Sequence, residues 1–248
     1  MLIPLLWLAG ALIPLVFLNR WLSRHIQGLG LLITANPNIA ILFYFILLLP
    51  GIVIHELSHW LMARLLGLKT GKISLGPAKA GPGKIRLGSV RVAQADPLRE
   101  SLVGLAPLLA GCALLLLIGA LAFDLRSLSQ AFVLRDAGRF FTLLAQSVQV
   151  SDFWIWLYAI FAISNAMLPS ESDRRAWLPL GIFLLVVGIV LLLVGWTPTL
   201  PANVVDAIIG AVEYLTTAFL LTLAVDIICV AFFGGLELAV SRLTGRRV

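Results

Sequence analysis

The chain has 248 residues, 60% of them hydrophobic and 12% charged, with a mean hydropathy of +1.04. A soluble domain averages about 25% charged residues. This composition therefore excludes an ordinary water-soluble fold, a disordered chain and a coiled coil, and the net charge of +6 reads as membrane orientation rather than nucleic-acid binding, because membrane proteins gather Lys and Arg in their cytoplasmic loops.

A membrane span needs about 20 mostly apolar residues. Runs free of Asp, Glu, Lys and Arg cover residues 1–19, 26–55, 101–123, 153–170 and 176–205. A last run, 207–236, is interrupted by Glu213 and Asp226. The expectation is an all-α polytopic membrane protein with about six transmembrane helices, forming a single membrane domain over residues 1–248. The first run has no positively charged leader and is read as a retained span, not a signal peptide. The second helix is expected to begin after the breaker pair Asn36-Pro37 and to continue to about Leu68. Between Phe123 and Phe153, the apolar positions Phe132, Phe140, Phe141, Leu144 and Val148 predict an interfacial amphipathic helix. Cys112 and Cys229 sit in apolar runs and read as small buried hydrophobes.

Basic residues crowd the 64–99 loop, Arg174-Arg175 and the end of the chain at Arg242, Arg246 and Arg247. The opposite side holds Arg20, Arg24, Arg126, Arg135 and Arg139. The positive-inside rule makes the first side cytoplasmic and puts both termini there; an integral protein of a prokaryotic cell membrane is expected. Within the 64–99 loop, alternating residues at 72–75 and 84–92 flank a Gly/Pro-rich stretch at 76–83. That pattern predicts a small cytoplasmic β-hairpin, whose edge could pair with an extended peptide by β-augmentation.

The helix before that loop ends in His55-Glu56-Leu57-Ser58-His59. Residues four apart share one helical face, so this is the H-E-x-x-H arrangement, in which two imidazoles bind zinc and the carboxylate acts as general base. Zinc takes a near-tetrahedral shell with an open position, and the carboxylate must reach water there to remove its proton. Ionisable groups at membrane depth are expensive and mark functional sites. His25, beside Arg24, is read instead as a solvated loop residue. For a further ligand the candidates in apolar surroundings are Asp173, Asp226 and Glu213. Topological parity favours Asp173: the second and fourth spans run in the same direction, and both polar motifs lie near their exits. Asp226 stays open between a gate, a proton path, an alternative ligand and an interfacial residue.

Three segments in order now carry a resemblance. They are His55-Glu56-Leu57-Ser58-His59, the small-residue segment Gly104-Leu105-Ala106-Pro107-Leu108-Leu109-Ala110-Gly111, and Asn165 followed eight residues later by Asp173. Together they resemble the site-2 protease family of intramembrane zinc metalloproteases. The resemblance implies zinc as cofactor, with His55, His59 and Asp173 as ligands, Glu56 as catalytic base and Asn165 as a group that holds the substrate backbone or polarises its carbonyl. It also implies a catalytic core over about residues 40–177, with peripheral helices at 1–38 and 178–248. Arg174 stands where the family usually has Gly, and Pro169 lies one position later than is common. The implied activity is zinc-dependent intramembrane endopeptidase cleavage of transmembrane or juxtamembrane segments; the implied partners are such membrane-protein substrates and the lipid bilayer, not nucleic acid. Two readings from other classes stand beside it. A catalytically silent relative could bind membrane proteins as a scaffold, although a scaffold has no use for Glu56. A small ion transporter could use Asp226 and the histidines, but the sequence lacks the paired, interrupted segments of an inverted repeat.

Overall fold

The computed structural model describes residues 2–81, 84–149, 152–175, 177–195 and 201–246. In chain order these form α1 (Leu2–Thr34), α2 (Pro37–Leu65), β1 (Thr70–Gly81), β2 (Lys84–Val92), α3 (Pro97–Ala122), α4 (Leu125–Val133), α5 (Ala137–Ser147), α6 (Phe153–Met167), α7 (Glu171–Arg174), α8 (Trp177–Leu193) and α9 (Ala202–Thr244). Five segments are long and apolar enough to cross a bilayer: Ile3–Thr34, Pro37–Leu65, Pro97–Ala122, Ser172–Leu193 and Ala202–Thr244. The expected sixth, α6, has 15 residues, about 22 Å of helix against about 30 Å of hydrocarbon. It stops early because Leu168 precedes Pro169 and takes extended backbone at φ −63°, ψ 130°, as a residue before proline tends to.

Helix α1 runs past the expected stop at Asn19 to Thr34, since nothing in the intervening sequence breaks a helix. Arg20, Arg24 and His25 therefore lie on α1, not in a loop. The turn into α2 falls at the Asn36-Pro37 pair. Ala35 takes the left-handed conformation (φ 53°), and the Asn36 side chain accepts a hydrogen bond from the Asn38 amide. Pro37 opens the helix, where its missing N–H is harmless.

The segment after α3 forms two short helices rather than one. Asp124 and Asp136 cap them, accepting from the Ser127 and Arg139 amides. In the hairpin, β1 and β2 pair antiparallel with Ile73 opposite Val90, Ser74 opposite Ser89 and Leu75 opposite Gly88. The Gly/Pro-rich stretch does not all turn: Gly76-Pro77 falls at a register irregularity, and β1 continues to Gly81. Pro82 and Gly83 lie outside the described residues.

Two pairs of helices run parallel. Tyr158 Oη donates to the Leu47 carbonyl, and His55 meets the Ala166 carbonyl, each pair 111 residues apart. Helices α2 and α6 thus ascend together, and α3 runs against them, with Gly111 facing Met167 and Gly104 facing Asp173. A Cβ on Gly51 would overlap the Ala162 carbonyl oxygen, and one on Gly104 the Asp173 carbonyl oxygen. Side chains of zero size at these two places let backbones meet, a familiar device where helices pack in lipid.

The second parallel pair is α1 with α9. His25 pairs with Glu237, 212 residues on, and the Arg246 guanidinium donates to the Leu32 carbonyl, 214 residues back. The Trp21 ring lies against Gly234. Because α1 and α9 ascend together, the start of α1 and the end of α9 lie at opposite ends of the pair. This corrects the expectation of both termini on one side. Charge counting erred because it treated Arg20 and Arg24 as loop residues and the terminal arginines as sharing a face with the 64–99 loop, whereas Arg246 sits beside the α1–α2 turn.

Candidate metal centre

His55 and His59 project from one face of α2 toward α6 and α3. Their Nδ1 atoms lie 2.8 Å from the carbonyl oxygens of Ala166 and Val103 respectively. A carbonyl can only accept, so each Nδ1 carries the proton, and in a neutral imidazole each Nε2 then presents a lone pair. The two Nε2 atoms are 3.2 Å apart, with the rings nearly perpendicular at 82°.

Asp173 completes the group from α7. Ser170 and Asp173 form a capping box: the Ser170 hydroxyl accepts from the Asp173 amide, and the Asp173 carboxylate accepts from the Ser170 amide at 2.8 Å. That reciprocal bond aims the carboxylate. Asp173 Oδ1 lies 3.3 Å from His59 Nε2, and Oδ2 lies 3.6 Å from His55 Nε2.

With both imidazoles neutral, two lone pairs and a carboxylate therefore face one another. Such acceptors repel unless a cation is shared. In a tetrahedral zinc shell with bonds of 2.0–2.1 Å, neighbouring ligand atoms are about 3.3–3.4 Å apart, and the observed separations of 3.2, 3.3 and 3.6 Å bracket that spacing. The Nδ1–carbonyl bonds are the outer partners that ligating histidines ordinarily have. Among the described residues, His55, His59 and Asp173 form the group whose ligand atoms suit a metal ion, all within 4.8 Å of one another.

Glu56 follows His55 in sequence and is 6% exposed. Strand β2 covers it: a Cβ on Gly88 would stand 2.6 Å from Glu56 Cγ and Oε1. Glycine is thus the residue that lets the hairpin close over this carboxylate. His59 is buried too, and the cluster is sheltered between α2, α3, α7 and the hairpin.

Asn165 is placed differently. Its amide nitrogen donates to Asp226 Oδ1 and to the Phe161 carbonyl, each at 3.0 Å. Its amide oxygen and its own carbonyl both accept from Asn19 Nδ2 at 2.9 Å. The group that the resemblance assigns to substrate is thus engaged by α1 and α9. Asp226 stands with Asn165 and apart from the ligand set, and Glu213 is likewise outside it. His25 is stacked on Trp21 and paired with Glu237, not merely solvated.

Sequence reasoning passed over Asn19, Gly88 and the Ser170–Asp173 box. The box had a readable signal, Ser-x-x-Asp; the other two had none beyond residue type. The chain is a helical membrane protein with five candidate spans and a buried His-His-Asp cluster. Comparison of the chain with known protein families, with curated proteins and with solved structures finds no match.

Proposed function

We propose that this protein is a zinc-dependent intramembrane endopeptidase of the site-2 protease kind, cleaving membrane proteins at or near a transmembrane segment. One observation carries the reading: on a membrane helix, two imidazole lone pairs and an aspartate converge at zinc-ligand spacing, with a glutamate as the next residue along. A scaffold would have no use for Glu56.

His55, His59 and Asp173 would hold the metal. When bound, zinc supplies Lewis acidity toward a peptide carbonyl and toward water. Glu56 would take a proton from the attacking water as the new C–O bond forms, then deliver it to the departing amine as the peptide C–N bond breaks. Its burial beneath β2 keeps that proton from bulk solvent. The lysines and arginines of the 64–99 segment support a reading in which the hairpin end of α2, and so the site, faces the cytoplasm.

The test compares membranes from cells carrying wild type and Glu56→Gln. Purified wild type and variant should both contain near-stoichiometric zinc, while membrane-protein fragments seen with wild type should vanish with the variant. Identical fragment patterns, with zinc bound in both, would overturn the peptidase reading.

A further inference from the structure

Helix α6 ends at Met167, so its last four carbonyls have no partner within the helix. Two of them are taken by side chains of other helices. Asn19 Nδ2 bonds the Asn165 carbonyl at 2.9 Å, and His55 Nδ1 bonds the Ala166 carbonyl at 2.8 Å. The carbonyl held by α1 and the carbonyl that orients His55 therefore belong to consecutive residues. The Asn165 side chain is held as well, by Asn19 on one side and Asp226 Oδ1 on the other.

Asp226 is an odd choice for this duty if stability were the aim. It is 1% exposed, and its Oδ2 has no hydrogen-bond partner among the described residues. An acid at membrane depth is expensive, and apolar residues often replace buried ionic groups with a neutral or stabilising effect. A group that stabilises poorly but fixes geometry is what a metal ligand's outer support requires.

We infer that Asp226 and Asn19 are positioning residues for the metal centre, holding the last turn of α6 so that the Ala166 carbonyl presents His55 at its ligand geometry. The inference rests on the metal-centre part of the reading above and is independent of peptidase activity. It also gives the α1–α9 pair a part in the site: each helix of the pair contributes one side chain to the clamp on Asn165.

The test uses the detergent-solubilised full chain and three readouts: zinc affinity by chelator competition, the electronic spectrum of the cobalt(II)-substituted protein, and the melting temperature without metal. Asp226→Leu should weaken zinc about tenfold, at the lower end of what loss of an outer partner does, and should shift the cobalt spectrum while the metal-free melting temperature holds or rises. Asp226→Asn keeps an acceptor for Asn165 and should bind zinc as wild type does. Asn19→Leu should weaken zinc in the same direction and carries the test if Asp226→Leu does not fold. Phe233→Leu, which disturbs α9 where it packs on Phe161, should lower the melting temperature and leave zinc affinity alone. Wild-type zinc affinity and an unshifted cobalt spectrum in both Asp226→Leu and Asn19→Leu would overturn the inference. A wild-type protein that takes up neither zinc nor cobalt would instead overturn the metal-centre reading, and this inference with it.

Discussion

The two parallel helix pairs are built by different chemistry. Helices α2 and α6 meet through backbone: Gly51 lies against the Ala162 carbonyl, and the His55 ring and Tyr158 hydroxyl each reach a carbonyl of the other helix. Helices α1 and α9 meet through side chains: Leu22, Ile26 and Leu29 of α1 are buried, Trp21 lies on Gly234, and the contacts of His25 with Glu237 and of Arg246 with the Leu32 carbonyl add polar ties. Backbone contact leaves almost no freedom, because a carbonyl moves only with its helix. Long side chains tolerate shifts in the helices that carry them. The region holding the ligand atoms is the rigidly joined one, and the region beside it is joined by adaptable contacts, except at Asn165, where the two regions meet.

Substitutions in the two helix pairs should separate their roles. The largest effect is expected at Glu56. Glu56→Gln should keep zinc and lower cleavage by about 10²–10⁴-fold, the usual share of a general base, whereas His59→Ala should lose stoichiometric zinc as measured by metal analysis. Next comes Gly88→Ala, whose methyl would displace the Glu56 side chain from its place under β2. Zinc content should be unchanged and the cleavage rate down by up to about 10²-fold, the scale of a misplaced catalytic group. Gly51→Val should then part α2 from α6, destabilising the protein by about 1–3 kcal/mol as overpacking does. A lowered denaturation midpoint together with reduced zinc occupancy would show it. The smallest change belongs to the adaptable pair. Glu237→Gln weakens its tie to His25, and interhelical polar contacts in membranes are worth about 0.6–2 kcal/mol; the midpoint should fall slightly while zinc affinity stays put. A zinc loss in Glu237→Gln as large as in Gly51→Val would erase the distinction between the pairs.

Much of this was legible in the chain itself. Hydropathy marked the apolar segments, five of them long enough to cross a bilayer rather than the six expected, and the five-residue His-Glu-x-x-His segment marked one face of α2, because both signals are local. Parity placed Asp173 near the histidines, since α2 and α6 ascend together. What stayed hidden was tertiary. The left-handed turn at Ala35 and the uninterrupted α1 moved Arg20 and Arg24 out of a loop, which no residue count could register. The shortness of α6 came from Leu168 yielding to Pro169. Arg174 is compatible with a well-aimed Asp173, because the Ser170 capping box fixes that carboxylate from the other side. Gly88 and Asn19 gained meaning only from what lies opposite them.

The pairing of α1 with α9 also fixes an order of events. Its contacts join residues more than two hundred positions apart, and chains emerge from the ribosome at about 5–20 residues per second. Helix α1 must therefore wait roughly ten seconds or more for α9 to be made. During that interval His25 lacks Glu237 and Asn165 lacks Asp226, although His55, His59 and Asp173 have all been synthesised. Long-range contacts close late, so the youngest protein carries His55, His59 and Asp173 before it carries Asp226. Completion of the contacts around Asn165 is thereby coupled to completion of the last helix.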